Sequence, residues 1–95
     1  MYARVTTVQF DPAKLTELTA KTGELKAGVK KMKGVVNTYS VWRADGLGVV
    51  TAIFDSKASA DAAAEQAKAI WGGLAGLLKS APKTETFENV EHLSG

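Results

Sequence analysis

Side chains that could bind a small molecule are few in this sequence, and they concentrate in two segments with strand-like composition. Arg4 offers a guanidinium that can bind an anionic group or orient a carbonyl, and Thr6 shares its strand face. Thr38, Ser40 and Trp42 alternate along a second segment, so they lie on one face of it. A tryptophan ring next to hydroxyl groups suits a planar aromatic ligand. Packing in a core or an interface is the alternative for Trp42, and an ordinary salt bridge is the alternative for Arg4.

Acid–base chemistry has fewer candidates. His92 is the only histidine, and imidazole is the side chain best suited to proton transfer near neutral pH. We include it as a candidate site residue, with an exposed or packing role as the alternative. Thr51 joins the candidate set because the predicted hairpin places it opposite Ser40. With one histidine and no cysteine in the sequence, we expect no metal site.

The pattern of apolar residues predicts the elements that carry these side chains. Segments rich in Thr and Val predict strands, and apolar residues spaced by three and four predict helices. Asp11 and Pro12 form a helix start, and Gly23 and Gly28 are positions where the first helix can bend or be interrupted. In chain order we expect a strand over 2–10, a helix over 12–33, strands over 35–44 and 47–54, a helix over 57–81 and a strand over 83–93.

The pair Asp45-Gly46 predicts a two-residue hairpin with a type I′ turn. Such a turn sets Ala44 opposite Leu47, Trp42 opposite Val49 and Ser40 opposite Thr51. Side-chain alternation then divides the hairpin between two faces. We expect the more apolar set to lie under the helices: Val35, Asn37, Tyr39, Val41, Val50, Ala52 and Phe54. The opposite face would carry Val36, Thr38, Ser40, Trp42, Val49, Thr51 and Ile53.

The element order β-α-β-β-α-β predicts one ferredoxin-like domain over 1–95, of the α+β class, with a four-stranded antiparallel sheet and both helices on one face. The second face is too apolar to remain in contact with water. A small core without disulfides is commonly reinforced by a partner subunit. We therefore predict a homodimer through this face, which would enclose a cavity lined by the candidate residues.

Charge and hydropathy argue against two kinds of partner. The sequence has 12 basic and 10 acidic residues, and its lysine-rich stretch over 14–33 contains no aromatic residue, so we expect no nucleic acid. That stretch predicts a solvated helix face, with attraction of an anionic partner as the alternative. No apolar run approaches the roughly 20 residues of a membrane span, so we expect no membrane association. Together with the absence of cysteine and of a secretion signal, this favours a cytoplasmic protein.

Four segments resemble the dimeric α+β barrel proteins, and among them the antibiotic-biosynthesis-monooxygenase-like families. They are KGVVNTY at 33–39, DG at 45–46, IFDSK at 53–57 running into an Ala-rich helix, and AIWGGLA at 69–75. The resemblance spans nearly the whole chain, and it is a pattern of elements without a catalytic motif. It supports the ferredoxin-like fold and the barrel-forming dimer.

The resemblance implies a small molecule that is aromatic or quinone-like, and cofactor-independent monooxygenase chemistry on it. Haem-degrading members of the group carry an Asn on the first strand and a His after the Trp of the second helix. Trp71 could match that Trp, but neither of the other two residues is in place here. We therefore expect no cofactor. A non-catalytic ligand-binding or regulatory dimer remains the alternative function.

Overall fold

The computed structural model describes residues 1–94, which form one four-stranded sheet and four α-helices. The strands are rich in Val and Thr, whose branched side chains fit a pleated surface. In chain order the elements are β1 (Tyr2–Gln9), α1 (Leu15–Ala20), α2 (Thr22–Lys30), β2 (Val35–Trp42), β3 (Leu47–Phe54), α3 (Lys57–Ala62), α4 (Ala64–Gly73) and β4 (Lys83–Phe87). Short 3₁₀ turns precede α1 and follow α4.

Each of the two predicted helices is divided into two segments. Lys21 separates α1 from α2, and Ala63 separates α3 from α4; both have ψ close to zero, with values of −2° and −5°. The first break falls just before Gly23, in keeping with the predicted interruption. At the second predicted site, a Cβ on Gly28 would lie 3.2 Å from Ile70, so the glycine lets α2 and α4 pack closely.

The strand order β2-β3-β1-β4, with every neighbouring pair antiparallel, confirms the predicted ferredoxin-like fold. The helices pack with their apolar faces against one side of the sheet. The last strand is shorter than predicted, because β4 ends at Phe87 and its pairing with β1 ends there too.

The hairpin between β2 and β3 differs from the predicted turn. Arg43 donates its N–H to the carbonyl of Leu47 and accepts from the N–H of Gly46, both at 2.9 Å, so three residues form the loop. Gly46 has φ +90°, whereas the other two loop residues, Ala44 and Asp45, have negative φ. A type I′ turn needs positive φ at both of its central residues, so this loop is not of that type. The predicted pairing is therefore wrong by one residue: Trp42 lies opposite Gly48, and Ser40 opposite Val50.

This shift reverses the predicted facing of β2. Thr38, Ser40 and Trp42 lie on the helix-covered side together with Val50 and Ala52, and not on the open side. The side chains of β3 keep their predicted facing. At the start of β2 the register changes between Val35 and Asn37, where one extra residue forms a bulge. The bulge returns Val35 to the helix-covered side, where it packs near Phe54.

The buried core consists of two separate clusters under the helices. One joins Val8 and Phe10 of the first strand region to Leu18, Leu74 and Leu77. The other joins Phe54 to Ala60 and Ala63, where small side chains let α3 lie close to the sheet. The clusters occupy opposite ends of the helix–sheet interface, and a space remains between them.

The open side of the sheet bears large apolar side chains in contact with solvent. Tyr39 is 67% exposed, Val41 61% and Phe87 47%. Val49, Thr51 and Ile53 lie between them on β3 and are half-buried. A contiguous surface of this kind is typical of an interface. None of the helices within residues 1–94 is long and apolar enough to cross a membrane.

Candidate functional site

A cavity of about 580 Å³ lies between the helix-covered side of the sheet and helices α2 and α4. It fills the space between the two core clusters and falls within the size range of small-molecule sites. This cavity is formed within one chain, whereas the sequence predicted a cavity between the sheets of two subunits. The reason is the hairpin register, which turns the β2 candidates toward the helices.

The floor of the cavity consists of side chains from three neighbouring strands, arranged in rows across the sheet. Antiparallel pairing aligns Arg4 with Ala52 and Ala52 with Thr38, which makes the first row. The second row aligns Thr6, Val50 and Ser40. Each row therefore has a polar side chain at either end and an apolar one in the middle. The arrangement offers a flat apolar surface with hydrogen-bonding groups along two edges.

Arg4 lies at the edge of the floor nearest to α3. Its Nη2 donates to the carbonyl oxygen of Ala60 at 2.8 Å, and its guanidinium carbon lies 5.6 Å from the centre of the Phe54 ring. These two contacts fix the orientation of the guanidinium. Its Nη1 is buried and has no hydrogen-bond partner among the described residues. A buried donor without a partner costs free energy, so this atom is available for a ligand.

Thr38 holds the second unpartnered polar atom. Its Oγ1 is buried and makes no hydrogen bond with any described residue. Among residues 1–94, only Arg4 and Thr38 have such atoms, and both line the cavity in the same row of the sheet. Buried polar groups are nearly always hydrogen-bonded in native proteins. Two exceptions in one cavity indicate a binding site for a polar group.

The remaining polar lining is better satisfied or more exposed. The hydroxyl of Thr6 lies 3.0 Å from that of Thr84 on β4. Ser40 and Trp42 lie toward the exposed end of the cavity, where 38% of Trp42 remains accessible. Gly48 lies beside Trp42 and has no side chain, so the ring of Phe10 covers it; an added Cβ would lie 2.9 Å from that ring. An aromatic surface therefore forms one end of the cavity.

The roof of the cavity adds two cationic groups. Lys26 and Lys30 of α2 line it and are exposed, whereas Leu25, Val29 and Ile70 supply the apolar part of the roof. The described lining residues include no Asp, Glu or His. The site therefore combines apolar walls with a purely positive set of charges.

The structure brings together five of the seven candidate residues. Arg4, Thr6, Thr38, Ser40 and Trp42 all line the cavity. Thr51 lies on the open side, opposite Val5 and Tyr39, because of the hairpin register. His92 lies beyond β4 in an exposed segment, where its Nε2 is 3.5 Å from the hydroxyl of Ser94. Within residues 1–94 no cluster of His, Cys, Asp and Glu could hold a metal ion.

Sequence reasoning missed the contribution of the helices. Leu25, Val29 and Met32 have the spacing of a core-facing helix stripe, and they form cavity wall instead. Trp71 both packs against the first cluster and lines the cavity. An apolar stripe looks the same in sequence whether it covers a filled core or a cavity. The lysines at i and i+4 beside the stripe were the available signal of a charged roof.

The fold is that of the antibiotic biosynthesis monooxygenase-like proteins. A Caulobacter crescentus CB15 protein assigned as an antibiotic biosynthesis monooxygenase superposes with a TM-score of 0.78 at 22% identity, covering 95% of this chain and 90% of that one. A monooxygenase from the gene ActVA-Orf6 of Streptomyces coelicolor, in complex with Nanaomycin D, has a TM-score of 0.74 and 20% identity over 99% of this chain and 91% of that one.

A Nitrosomonas europaea protein of unknown function is similar to the same degree. Its TM-score is 0.77 at 17% identity, and the match covers 99% of this chain and 95% of that one. The sequence matches no family model and no curated protein. At these identities the likeness establishes the fold, and it confirms the fold expected from the resemblance of the four segments.

Proposed function

We propose that the protein binds a planar aromatic or quinone-like molecule in this cavity and oxygenates it without a bound cofactor. The observation that carries the proposal is the pair of buried, unpartnered polar atoms of Arg4 and Thr38 within a largely apolar cavity. A flat floor of Ala52 and Val50 suits a planar ring, and Trp42 can stack on it. The Nanaomycin D complex of a protein with the same fold supports an aromatic ligand.

The proposed reaction draws its electrons from the substrate. A ring carbon of the type R₂CH₂, activated by a neighbouring phenol, reacts with dioxygen to give R₂C=O and H₂O. One oxygen atom enters the product and the other leaves as water, and the four electrons that reduce O₂ come from the carbon. Loss of the phenol proton starts the reaction, since a phenolate is far easier to oxidise than a phenol.

The residues of this chain would assist that first step. The guanidinium of Arg4 and the hydroxyl of Thr38 can donate hydrogen bonds to the phenolate oxygen, which favours its deprotonated form. Lys26 and Lys30 add a positive field at the roof. A bound ring would displace water from the apolar floor, which would strengthen these interactions.

Binding without catalysis is a second candidate function. It is favoured by the absence of Asp, Glu and His from the described lining residues, because these are the usual general bases. In that case the protein would retain an aromatic ligand unchanged. The same experiment distinguishes the two functions.

The test uses anthrone, which is planar and has an activated CH₂ group. The purified protein is treated with a chelator, supplied with ¹⁸O₂, and assayed for anthraquinone by mass spectrometry and for binding by thermal shift. We expect label in the new carbonyl at a rate above the protein-free reaction. Binding without turnover would establish the second function, and neither binding nor turnover would contradict both.

A matched pair of variants ties the result to the cavity. Val50→Phe fills the centre of the floor, whereas Val49→Phe places the same ring on the open side, one residue away. We expect Val50→Phe to lower anthrone binding and turnover by at least tenfold and Val49→Phe to change them little. Equal loss in both variants would contradict the location of the site.

We also propose that the chain forms a homodimer through the open side of its sheet. Support comes from the exposed apolar side chains of Tyr39, Val41 and Phe87 on that side. Because the cavity lies on the other side of the sheet, each subunit would hold a complete cavity.

A further inference from the structure

The guanidinium of Arg4 has no acidic partner among residues 1–94. The ion pairs among residues 1–94 are Arg43–Asp45 and Lys57–Asp61, both at the surface, and Arg4 belongs to neither. Its single hydrogen bond goes to the neutral carbonyl of Ala60, and Nη1 is left buried. Buried charges in proteins are normally paired, because desolvation of an ion is costly. The missing counter-charge therefore points to the ligand.

Thr38 narrows the position of that counter-charge. Its Cα lies two strands from that of Arg4 in the same row, a separation of about 10 Å in a sheet. The guanidinium of Arg4 lies 5.6 Å from the ring centre of Phe54, which belongs to the strand between the two residues. A group with two acceptor oxygens, such as a carboxylate, can accept from Nη1 of Arg4 and from Oγ1 of Thr38 at the same time. A neutral carbonyl would leave the charge of Arg4 uncompensated.

The rest of the cavity favours the same sign of charge. Lys26 and Lys30 lie at the roof, and the described lining contains no carboxylate that would repel an anion. A cleft with charges of one sign and apolar walls concentrates ligands of the opposite charge. The lysines would thus act on the entry of the ligand, and Arg4 on its final position.

We infer that the ligand of this protein is an aromatic acid, whose carboxylate is bound between Arg4 and Thr38 while its ring lies on the floor of the cavity. This inference rests on the proposed binding of aromatic molecules, and it adds the charge of the ligand and the residues that select it. It concerns binding and not oxygenation, because a carboxylate at Arg4 and Thr38 takes the hydrogen bonds that a phenolate would otherwise accept. Arg4 and Thr38 are then specificity-determining residues.

The experiment compares two probes of nearly the same shape, 2-naphthoate and its uncharged amide, 2-naphthamide. Binding is measured by calorimetry at pH 7 and low ionic strength on the full chain. We expect the parent protein to bind 2-naphthoate about 10- to 100-fold more tightly than the amide, the range expected for a charge-assisted hydrogen bond.

Two substitutions in the cavity and one control assign the preference. Arg4→Gln should abolish the preference for the acid, because it weakens the binding of 2-naphthoate and changes the affinity for 2-naphthamide by less than threefold. Thr38→Val has the same shape without the hydroxyl; it should weaken the acid several-fold and keep the melting temperature at or above that of the parent, since it removes an unpartnered polar atom. Arg43→Gln removes a cation from the exposed hairpin, outside the cavity lining, and should leave both affinities unchanged.

Each outcome decides the inference. If both probes bind equally and neither cavity variant alters their ratio, the inference is overturned and the proposed aromatic site stands. If neither probe binds the parent protein, and anthrone does not bind it either, both proposals are overturned. If Arg4→Gln does not fold, the ratio of the affinities of Thr38→Val for 2-naphthoate and 2-naphthamide decides the inference by itself.

Discussion

Outside the cavity, two aspartates are held in their ionised form by neighbouring side chains. The hydroxyls of Ser59 and then Ser56 donate to Asp55 and keep the pKa of its carboxyl below the ordinary value. The side chain of Arg43, followed by the N–H of Leu47, lowers the pKa of Asp45 in the same way. Both contributions to stability are present above the ordinary pKa and are lost as the pH falls through the lower folded-state values.

The cause of the Asp55 shift can be tested with Ser59→Ala. Removing the main donor should raise the pKa of Asp55 toward its ordinary value, because the carboxylate loses its strongest hydrogen bond. The measurement is an NMR titration of the side-chain carboxyl carbons between pH 2 and 6. Asp45 serves as the control in the same spectra, since its partners lie in the loop between β2 and β3, away from Ser59. An unchanged titration of Asp55 would contradict the assigned cause.

At this scale, sequence reasoning identified the right residue types for the cavity floor, but not the feature that distinguishes two of them. Arg4 was chosen because a guanidinium can bind an anionic group or orient a carbonyl, and Thr38 because a hydroxyl near Trp42 suits an aromatic ligand. What distinguishes them in the structure is the lack of hydrogen-bond partners for Nη1 and Oγ1. Whether these atoms have hydrogen-bond partners depends on groups of the helices packed above the sheet, such as the Ala60 carbonyl of α3. No local sequence pattern predicts such contacts. His92 was proposed on type alone, and the structure places it away from the cavity.

At the scale of elements, the hairpin loop decides which side chains reach the cavity. Gly46 ends a three-residue loop with φ +90°, and its N–H bonds back to Arg43. An added Cβ would overlap the backbone oxygen of Phe10. Two constraints thus act on one residue: a left-handed backbone and a close approach to the neighbouring chain segment.

We predict opposite effects for alanine at two glycines. Gly46→Ala should lower the free energy of unfolding by about 2 kcal/mol or more, because the backbone conformation is strained and the space is occupied. Gly72→Ala, in an exposed turn of α4 with open space around it, should raise it by up to about 1 kcal/mol. Urea unfolding followed by circular dichroism measures both. Destabilisation of similar size at the two positions would contradict the distinction.

The limits of the sequence prediction at this scale follow from the same loop. Strand and helix segments were evident from composition and spacing, and most ends agree within a few residues. The pair Asp45-Gly46 fits both a two-residue turn and the end of a three-residue loop. A change of one residue moves every β2 side chain to the other side of the sheet. The bulge at Val36 then reverses the change, and neither event leaves a distinctive residue pattern.

At the scale of the whole molecule, the proposed role of the open side of the sheet in dimer formation can be tested directly. We expect the parent protein to scatter light as a particle of twice its 10.0 kDa chain mass. Val41→Glu places a charge among the exposed apolar side chains of this side and should shift the mass toward 10.0 kDa. Ala58→Glu, on the exposed surface of α3, is the matched control and should remain a dimer. A parent protein that is monomeric at micromolar concentration would contradict the proposed interface.

The division of the core into two clusters has a consequence for the evolution of this chain. A filled interior penalises almost any change of volume, but here the middle of the helix–sheet interface is hollow. Substitutions at Val50, which packs against neither cluster, can therefore reshape the chamber while the clusters around Phe54 and Val8 continue to hold the sheet and helices together. Such a scaffold can diversify its ligands without first acquiring extra stability. A bound ligand would fill this part of the interior and stabilise the folded state, so the stability of the protein would depend on the ligand concentration.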